Sequence, residues 1–349
     1  MVTHIRTGII GFGLSGRVFH APFVSTNPDF QLALIATGDP GRRALASSRY
    51  PDAEVVASPD DLLARAADLD LVVLASPAHT HRSQGLAALK AGAAVVVDKP
   101  FAPSVADAEA LIAAAAAAQR PLIVFQNRRW DGDFLTLRKL IDSGVFGDIV
   151  RLESSFERWA GPRRDRWQDR TTPTDGAGIT FDIGSHLIDQ ALQLFGPVAQ
   201  VHAELRIQRA GGVSDDDAFV SLLHENGVRS HLMMSSVAAL SGPRFRVLGT
   251  SGAYSVHGLD PQEAALDSGM LPTDAGYGAS TPDAFGELGD GQSRSRVATE
   301  RGDYPAFYAG VAPSIRGDGP PPVDPLEALE VVRIIERIHR EFPPTPQRT

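Results

Sequence analysis

The chain contains no cysteine among its 349 residues. That absence excludes disulfides, thiolate catalysis and zinc sites with cysteine ligands. Basic residues are also in the minority, since 33 Lys and Arg stand against 42 Asp and Glu and give a formal net charge of -9. A surface of this charge repels a phosphate backbone, so we expect no binding to nucleic acid.

Long apolar runs are missing as well. The N-terminal stretch MVTHIRTGIIGFGLSG is interrupted by glycines, and it offers neither the apolar region of a signal peptide nor a membrane span. We therefore expect no membrane association and a cytoplasmic location. What the chain does contain is 43% hydrophobic and 21% charged residues, which is typical of a folded globular protein. Its length favours two domains.

The apolar pattern changes near residue 126, and we place the domain boundary there, between 1–126 and 127–349. Before it, short apolar runs alternate with amphipathic stretches, which predicts βαβ units and a parallel sheet. After it, several strands follow one another without intervening helices, which predicts an α+β domain with a mostly antiparallel sheet. The stretch from Asp267 to Arg301 is rich in Gly, Asp, Ser and Thr, so we expect an extended surface excursion.

A glycine-rich motif follows the first predicted strand. It has the form GxGxxG and consists of Gly11, Phe12, Gly13, Leu14, Ser15 and Gly16. In isolation the motif is as readily a simple tight turn. Its place between a strand and a helix favours a dinucleotide site, in which Gly11 permits the turn, Gly13 admits the pyrophosphate and Gly16 allows close helix packing.

The residue at the end of the second predicted strand distinguishes the ribose 2′-hydroxyl of NAD from the 2′-phosphate of NADP. An NAD enzyme usually has a carboxylate there, but this chain has Thr37 and Gly38. With Arg42 nearby, this favours NADP as the cofactor, because a carboxylate would repel the 2′-phosphate. Two alternatives stay open: Arg42 and the neighbouring Arg43 could be an exposed helix start, and Asp39 could reach the ribose and favour NAD.

Two further clusters carry proton-transfer chemistry. Lys99 follows the fifth predicted strand, at the sheet edge where ligands bind in such folds. Asp182 and His186 are four residues apart, so on a helix they share a face, and a carboxylate can orient an imidazole whose ordinary pKa of about 6.5 suits a base near neutral pH. The alternatives are a surface lysine, a histidine that caps a buried helix, and a metal site.

Taken in order, the motifs GFGLSG, DKP and DIGSHLID resemble the glucose-fructose oxidoreductase/inositol dehydrogenase (Gfo/Idh/MocA) family. The family has Glu-Lys-Pro where this chain has Asp98, Lys99 and Pro100. The segments HAPF, NRRWDGDFLTL, GLDPQE and YPAFY extend the resemblance over nearly the whole chain and are similar to the branch of NADP-dependent scyllo-inositol dehydrogenases.

The resemblance implies a Rossmann domain, a second domain with an open-faced sheet, and homodimers or homotetramers built through that sheet. It also implies oxidation of a cyclic polyol or sugar by a triad of Lys99, Asp182 and His186, with His186 as general base and Lys99 stabilising the alkoxide, so that no metal is required. Further cofactor contacts are expected at Lys99, Ser76, Pro77 and His81. Candidate pocket residues, of which any aromatic could equally belong to the core, are Asn127, Arg128, Trp130, Arg158, Trp167, Asp189 and Tyr304.

Two other functions are compatible with this resemblance. One is a dinucleotide-binding sensor without turnover, although a sensor does not need the proton-transfer pair. The other is redox-assisted glycoside cleavage.

Overall fold

Six short apolar segments near the N-terminus form a parallel sheet in the computed structural model, which describes residues 4–163 and 170–346. The strands are β1 (Ile5–Ile10), β2 (Phe30–Ala36), β3 (Glu54–Val56), β4 (Leu71–Leu74), β5 (Ala94–Asp98) and β6 (Leu122–Phe125). Their order is β3-β2-β1-β4-β5-β6, with every neighbouring pair parallel. This is the doubly wound order of dinucleotide-binding folds, in which ligands bind beyond the carboxyl ends of the strands. The predicted Rossmann fold is confirmed.

Helices connect these strands and begin where local signals place them. They are α1 (Ala21–Thr26), α2 (Pro40–Arg49), α3 (Pro59–Leu63), α4 (Ala78–Lys90) and α5 (Val105–Ala118). The Ser58 hydroxyl accepts a hydrogen bond from the Asp61 backbone N–H at the start of α3, and the Asp61 carboxylate accepts one from the Ser58 backbone N–H. Ser104 caps α5 in the same position. A π-helical turn, Ser15–His20, precedes α1.

A second sheet is built mainly from the C-terminal half. It has nine strands in the described residues, in the order β14-β13-β12-β11-β7-β10-β9-β8-β15. They are β7 (Ile149–Glu157), β8 (Val198–Ile207), β9 (Asp217–His224), β10 (Arg229–Ser235), β11 (Phe245–Gly249), β12 (Ala253–Val256), β13 (Gly286–Gly289), β14 (Arg294–Val297) and β15 (Thr345–Pro346). The pairs β7–β10 and β8–β15 are parallel and the others antiparallel, as the prediction of a mostly antiparallel sheet requires.

The other α-helices within the described residues are α6 (Gly132–Asp142), α7 (Ser185–Phe195), α8 (Gln262–Asp267), α9 (Pro305–Arg316) and α10 (Pro325–Glu341). Short 3₁₀ turns occur at Ala66–Asp68, Asn127–Trp130, Pro173–Asp175 and Pro282–Ala284. One face of the second sheet is packed with buried apolar residues, among them Leu152, Val220 and Leu232, together with Leu187 of α7 and Ile335 of α10. Alternate residues of β9 are only half-buried, so the other face carries no comparable core.

The chain divides into two compact units. Unit 1 comprises Met1–Asn127, Gln262–Tyr277 and Asp303–Leu329, and unit 2 comprises Arg128–Pro261, Gly278–Gly302 and Glu330–Thr349. Unit 1 therefore includes α8 and α9, which come from far along the chain. Within 4–163 and 170–346, no helix is both long and apolar enough to cross a membrane.

The stretch from Asp267 to Arg301 differs from the prediction. It is largely exposed, but it is more than a surface excursion, because β13 and β14 form a hairpin that extends the second sheet beyond β12. The two strands are four residues each, and charged side chains interrupt their apolar pattern. Pairing with an existing sheet edge stabilises such strands where their own sequence does not.

Candidate active site

The glycine-rich loop leaves β1 at the carboxyl edge of the first sheet. Gly11 has a φ of +98°, a conformation that side chains disfavour, and a Cβ there would lie 2.4 Å from the Ala75 carbonyl oxygen. A Cβ on Gly16 would lie 1.9 Å from the Gly11 carbonyl oxygen. Gly13 has open space, with only the Arg42 guanidinium 3.8 Å from the position of a Cβ. The loop thus has the cradle that a pyrophosphate requires, and glycine is needed at its two ends.

The ribose end of this cradle is formed after β2. Thr37 is buried, and its backbone N–H donates to the Val56 carbonyl at 3.1 Å. Asp39 is the N-cap of α2, because its Oδ1 accepts from the Arg42 N–H at 2.8 Å. Arg42 is exposed, and Arg43 donates to the Gly38 carbonyl at 3.4 Å. The Asp39 carboxylate is therefore hydrogen-bonded to the backbone of α2. The Arg42 guanidinium lies beside Gly13.

The residues after β4 form a hydrogen-bonded turn. The Ser76 hydroxyl donates to Gln84 at 2.6 Å, and Pro77 is the N-cap residue of α4. His81 is buried, with its ring nitrogens 2.9 Å from the Ser76 carbonyl and 3.1 Å from the Phe101 carbonyl. Burial lowers the pKa of His81, against the opposing effect of these carbonyls. His81 thus holds the Ser76 turn, and its direct contact with a cofactor stays a prediction.

Lys99 follows β5 directly. It is half-buried, its backbone N–H donates to the Asp98 carboxylate at 2.8 Å, and its peptide bond to Pro100 is cis. The other oxygen of Asp98 accepts a short hydrogen bond from the Ser15 hydroxyl. The Asp98 carboxylate therefore joins the end of β5 to the helical turn that follows the glycine-rich loop.

Asp182 and His186 lie on one continuous helical segment in unit 2. Asp182 belongs to a π-helical turn, Thr180–Gly184, that leads into α7, and His186 lies in the first turn of α7. His186 is 3% exposed, whereas the Asp182 side chain is half-exposed and lies 3.4 Å from the Arg158 guanidinium. Arg158, predicted as a pocket residue, is thus brought to Asp182.

A buried carboxylate holds the start of this segment. Asp215 accepts from the Thr180 backbone N–H at 2.8 Å and from the Thr180 hydroxyl at 2.6 Å. His339 of α10 lies 3.3 Å from the other Asp215 oxygen. Asp215, which is more than thirty residues away in sequence, therefore holds the start of the segment that carries Asp182 and His186.

The predicted pocket residues near α6 are buried rather than exposed. Asp189 is 2% exposed and forms a bidentate pair with Arg129, at 2.6 and 2.8 Å. The Arg128 guanidinium lies 4.8 Å from the centre of the Phe156 ring. Asn127, in unit 1, is also buried. Substrate contact by Asp189, Arg128 and Asn127 stays a prediction.

The aromatic candidates differ from one another. Trp130 is half-buried at the end of its 3₁₀ turn. Tyr304 has no exposed surface, and its ring packs edge-on against Phe19 and Phe23 within unit 1. The sequence left a core role open for such aromatics, and the packing of Tyr304 is that of a core residue. Trp167 lies outside the described residues.

Two contributing residues, Arg129 and Asp215, were missed from the sequence, as was the capping role of Asp39. Asp39 followed by Pro40 is a helix-start signature, which could have identified the cap. Arg129 adjoins a residue that was chosen, but nothing local distinguishes the two arginines. Asp215 reaches Thr180 through tertiary structure alone, and no sequence spacing indicates it.

Among the described residues no group of three or more metal-ligating side chains occurs. The residues that could hold a cofactor are those of the glycine cradle, with the Arg42 guanidinium beside Gly13 and the Arg43 guanidinium at the Gly38 carbonyl. Unit 1 supplies a lysine ammonium after β5, and unit 2 supplies an imidazole and a carboxylate on one helical segment. Groups of these types can move a proton from a hydroxyl group.

Two family models match the chain. The model described as an oxidoreductase family with an NAD-binding Rossmann fold matches residues 5–126, and that of the GFO/IDH/MocA C-terminal domain matches residues 134–255. Among curated proteins, the uncharacterized oxidoreductase YdgJ of Escherichia coli is 37% identical over 96% of both chains. The scyllo-inositol 2-dehydrogenase (NADP(+)) IolW of Bacillus subtilis is 34% identical over 96% of this chain and 93% of its own.

Solved structures are similar over the same length. The oxidoreductase yvaA from Bacillus subtilis superposes with a TM-score of 0.89 at 34% identity, covering 96% of this chain and 95% of that one. An oxidoreductase from Bacteroides fragilis gives a TM-score of 0.84 at 38% identity, covering 97% and 98%. The similarity therefore extends through both units.

Proposed function

Because the chain belongs to the GFO/IDH/MocA oxidoreductase family, we propose that it is an NADP-preferring dehydrogenase that moves a hydride between nicotinamide and a secondary alcohol of a cyclic polyol or sugar. The observation that carries this proposal is the joint presence of Lys99, Asp182 and His186 on rigid elements, at a strand end and on one helical segment. The substrate class is supported by IolW, whose name specifies scyllo-inositol and NADP.

In the proposed reaction His186 takes the proton of the substrate hydroxyl. A positioned imidazole suits this step, and Asp182 stabilises the positive charge that the imidazole gains. The Lys99 ammonium stabilises the oxygen as negative charge develops on it. A bound NADP⁺ would supply the acceptor for the hydride that leaves the carbon bearing this hydroxyl group. The family resemblance supplies these roles, and the geometry supports them by holding each residue on a fixed backbone.

The preference for NADP rests on the loop after β2. No carboxylate is available at Thr37 to bind the ribose 2′-hydroxyl, and the Asp39 carboxylate is engaged as the cap of α2. Arg42 lies beside Gly13, and Arg43 donates a hydrogen bond to the Gly38 carbonyl. A 2′-phosphate would be attracted by two guanidinium groups there, and the threonine at position 37 has no carboxylate to repel it.

We also propose that the protein forms a homodimer or homotetramer through the second sheet. The face of that sheet away from the core presents half-buried apolar side chains, Phe219, Leu223 and Met233. Burial of these apolar side chains against a second copy of the chain would stabilise an oligomer.

The decisive experiment is a screen for reduction of NADP⁺ and NAD⁺ over inositols, aldoses and sugar acids, with His186→Ala as the matched control. We expect turnover of a cyclic polyol or sugar by the wild type, faster with NADP⁺ and nearly abolished in the control. Tight dinucleotide binding with no turnover across the panel would instead identify a sensor. Release of a free sugar with the cofactor retained would identify glycoside cleavage.

A further inference from the structure

Asp98 occupies a position in unit 1 where three other groups meet. One oxygen accepts from the Ser15 hydroxyl, and the other accepts from the Lys99 backbone N–H at 2.8 Å. The second oxygen also lies 3.9 Å from Nε2 of His20. The Asp98 carboxylate thereby touches the glycine-rich loop on one side and the residue proposed to stabilise the alkoxide on the other.

His20 continues this contact into the interior. Its Nδ1 is hydrogen-bonded to the Tyr308 hydroxyl at 2.7 Å, whereas its Nε2 lies beside Asp98 without a hydrogen bond among the described residues; we call Tyr308, His20 and Asp98 a chain in this sense. Both His20 and Tyr308 have no exposed surface. The His20 ring packs 4.4 Å from the Phe125 ring, and the Tyr308 ring is stacked on Phe23. Neither side chain can turn away without displacing core aromatic residues.

The charge of Asp98 sets the direction of this chain. Burial lowers the pKa of His20 to about 4, so the ring is neutral at neutral pH and has a single N–H. The nearby carboxylate favours the tautomer with that proton on Nε2, pointing toward Asp98. Nδ1 is then an acceptor, and Tyr308 donates to it. At 3.9 Å from Asp98, His20 Nε2 makes no hydrogen bond among the described residues, so its N–H interacts with the carboxylate through charge–dipole attraction, while the bond between Tyr308 and Nδ1 is a true hydrogen bond.

We propose that Asp98 is a positioning residue that ties the glycine-rich loop to Lys99, and that His20 and Tyr308 hold its carboxylate in place. The proposal rests on the proposed dehydrogenase function for its effect on turnover. It also has a consequence for binding, because the Ser15 hydroxyl is held by the same carboxylate. Dinucleotide affinity and the placement of Lys99 are therefore coupled through one side chain.

The first test compares Asp98→Asn with Asp98→Glu, which restores a carboxylate. We expect Asp98→Asn to lower kcat roughly 10- to 100-fold, the scale of a misplaced reacting group, and to raise the Kd for NADP about fivefold, the scale of one weakened hydrogen bond. Asp98→Glu should recover most of both losses. A mere loss of thermal stability in Asp98→Asn, with kcat and Kd at wild-type values, would overturn the proposal.

The second test does not need turnover. Long-range ¹H–¹⁵N NMR of the histidine rings reports which nitrogen carries the proton, and we expect His20 to be the Nε2–H tautomer in the wild type. In Asp98→Asn a share of Nδ1–H should appear, because the selecting charge is gone. A wild-type ring protonated on Nδ1 would refute the chain. If the wild type turned over no substrate, the proposed function would fail, while the NADP Kd and the NMR spectra would still decide the role of Asp98.

The third test keeps the carboxylate and removes only its support. Tyr308→Phe should lower kcat about fivefold, since one hydrogen bond of the chain is lost. Tyr254→Phe is the matched control: Tyr254 is equally buried but lies in unit 2, and its hydroxyl has no hydrogen-bond partner among the described residues. Equal effects of the two variants on kcat would show that loss of a buried hydroxyl, and not the chain, is responsible. This test also serves if Asp98→Asn fails to fold.

Discussion

At the scale of single residues, turnover depends on His186 and Lys99. We expect His186→Ala to lower kcat by roughly 10²- to 10⁴-fold, the usual contribution of a general base, with the NADP Kd nearly unchanged. Lys99→Met should lower kcat similarly, because the developing negative charge loses its cation. Steady-state kinetics with the preferred substrate would measure both effects.

The control for this prediction is His257→Ala, since His257 is exposed and directly follows β12. Its kcat should equal that of the wild type. Wild-type turnover by either His186→Ala or Lys99→Met would show that the triad has been assigned to the wrong residues.

Cofactor choice is also decided by a few side chains. Replacing both Arg42 and Arg43 by Ala should weaken NADP binding about fivefold and leave NAD binding almost unchanged, because exposed arginine contacts contribute roughly 1 kcal/mol. Thr37→Asp should reverse the preference by repelling the 2′-phosphate and accepting the 2′-hydroxyl. Fluorescence titration with both dinucleotides would measure each Kd.

The variant Asp39→Ala tests the opposite case. With Asp39 engaged as a helix cap, its removal should cost stability at the start of α2 and change the ratio of the two Kd values little. A wild type that binds NAD more tightly than NADP, and loses that preference in Asp39→Ala, would instead make Asp39 the ribose ligand.

At the scale of elements, the helical segment from Thr180 into α7 depends on a distant carboxylate. Asp215→Asn should weaken the hydrogen bonds to the Thr180 backbone and hydroxyl and lower the local opening free energy by roughly 1–3 kcal/mol. Because Asp182 and His186 lie on this segment, we expect kcat to fall as well. Hydrogen exchange of peptides that cover residues 178–190 would measure the opening.

The neighbouring Asp217 provides the matched control. Within the described residues its side chain accepts a long hydrogen bond of 3.4 Å from Gln208, far from Thr180 in sequence, so Asp217→Asn should leave exchange in residues 178–190 unchanged. Unchanged exchange in Asp215→Asn would show that packing of α7 alone holds the segment.

At the scale of the whole molecule, the proposed oligomer makes a simple prediction. Leu223→Arg places a charge on the half-buried face of β9, and it should lower the molar mass in solution from that of the oligomer to that of the monomer. Leu326→Arg, at an exposed position at the start of α10, should leave the mass unchanged. Light scattering coupled to gel filtration would compare them, and an oligomer that survives Leu223→Arg would place the interface elsewhere.

The sequence by itself determined the features that depend on near neighbours. The motif GFGLSG predicts a strand, a glycine loop and a helix in that order. The capping residues Ser58 and Ser104 predict where α3 and α5 begin. These are interactions over three to six residues, so a linear pattern contains them. The same holds for the change from alternating strands and helices to successive strands, which predicted both sheets.

Tertiary structure decided the contacts between distant residues. Asp189 pairs with Arg129, which is 60 residues away in sequence, and His20 is hydrogen-bonded to Tyr308, which is 288 residues away. The hairpin of β13 and β14 became sheet because β12 offered an edge to pair with. No periodicity records such pairs, since they depend on how the chain returns to itself in folding. The residues that carry the proposed chemistry could therefore be chosen from motifs, but what holds them in place became visible only in the fold.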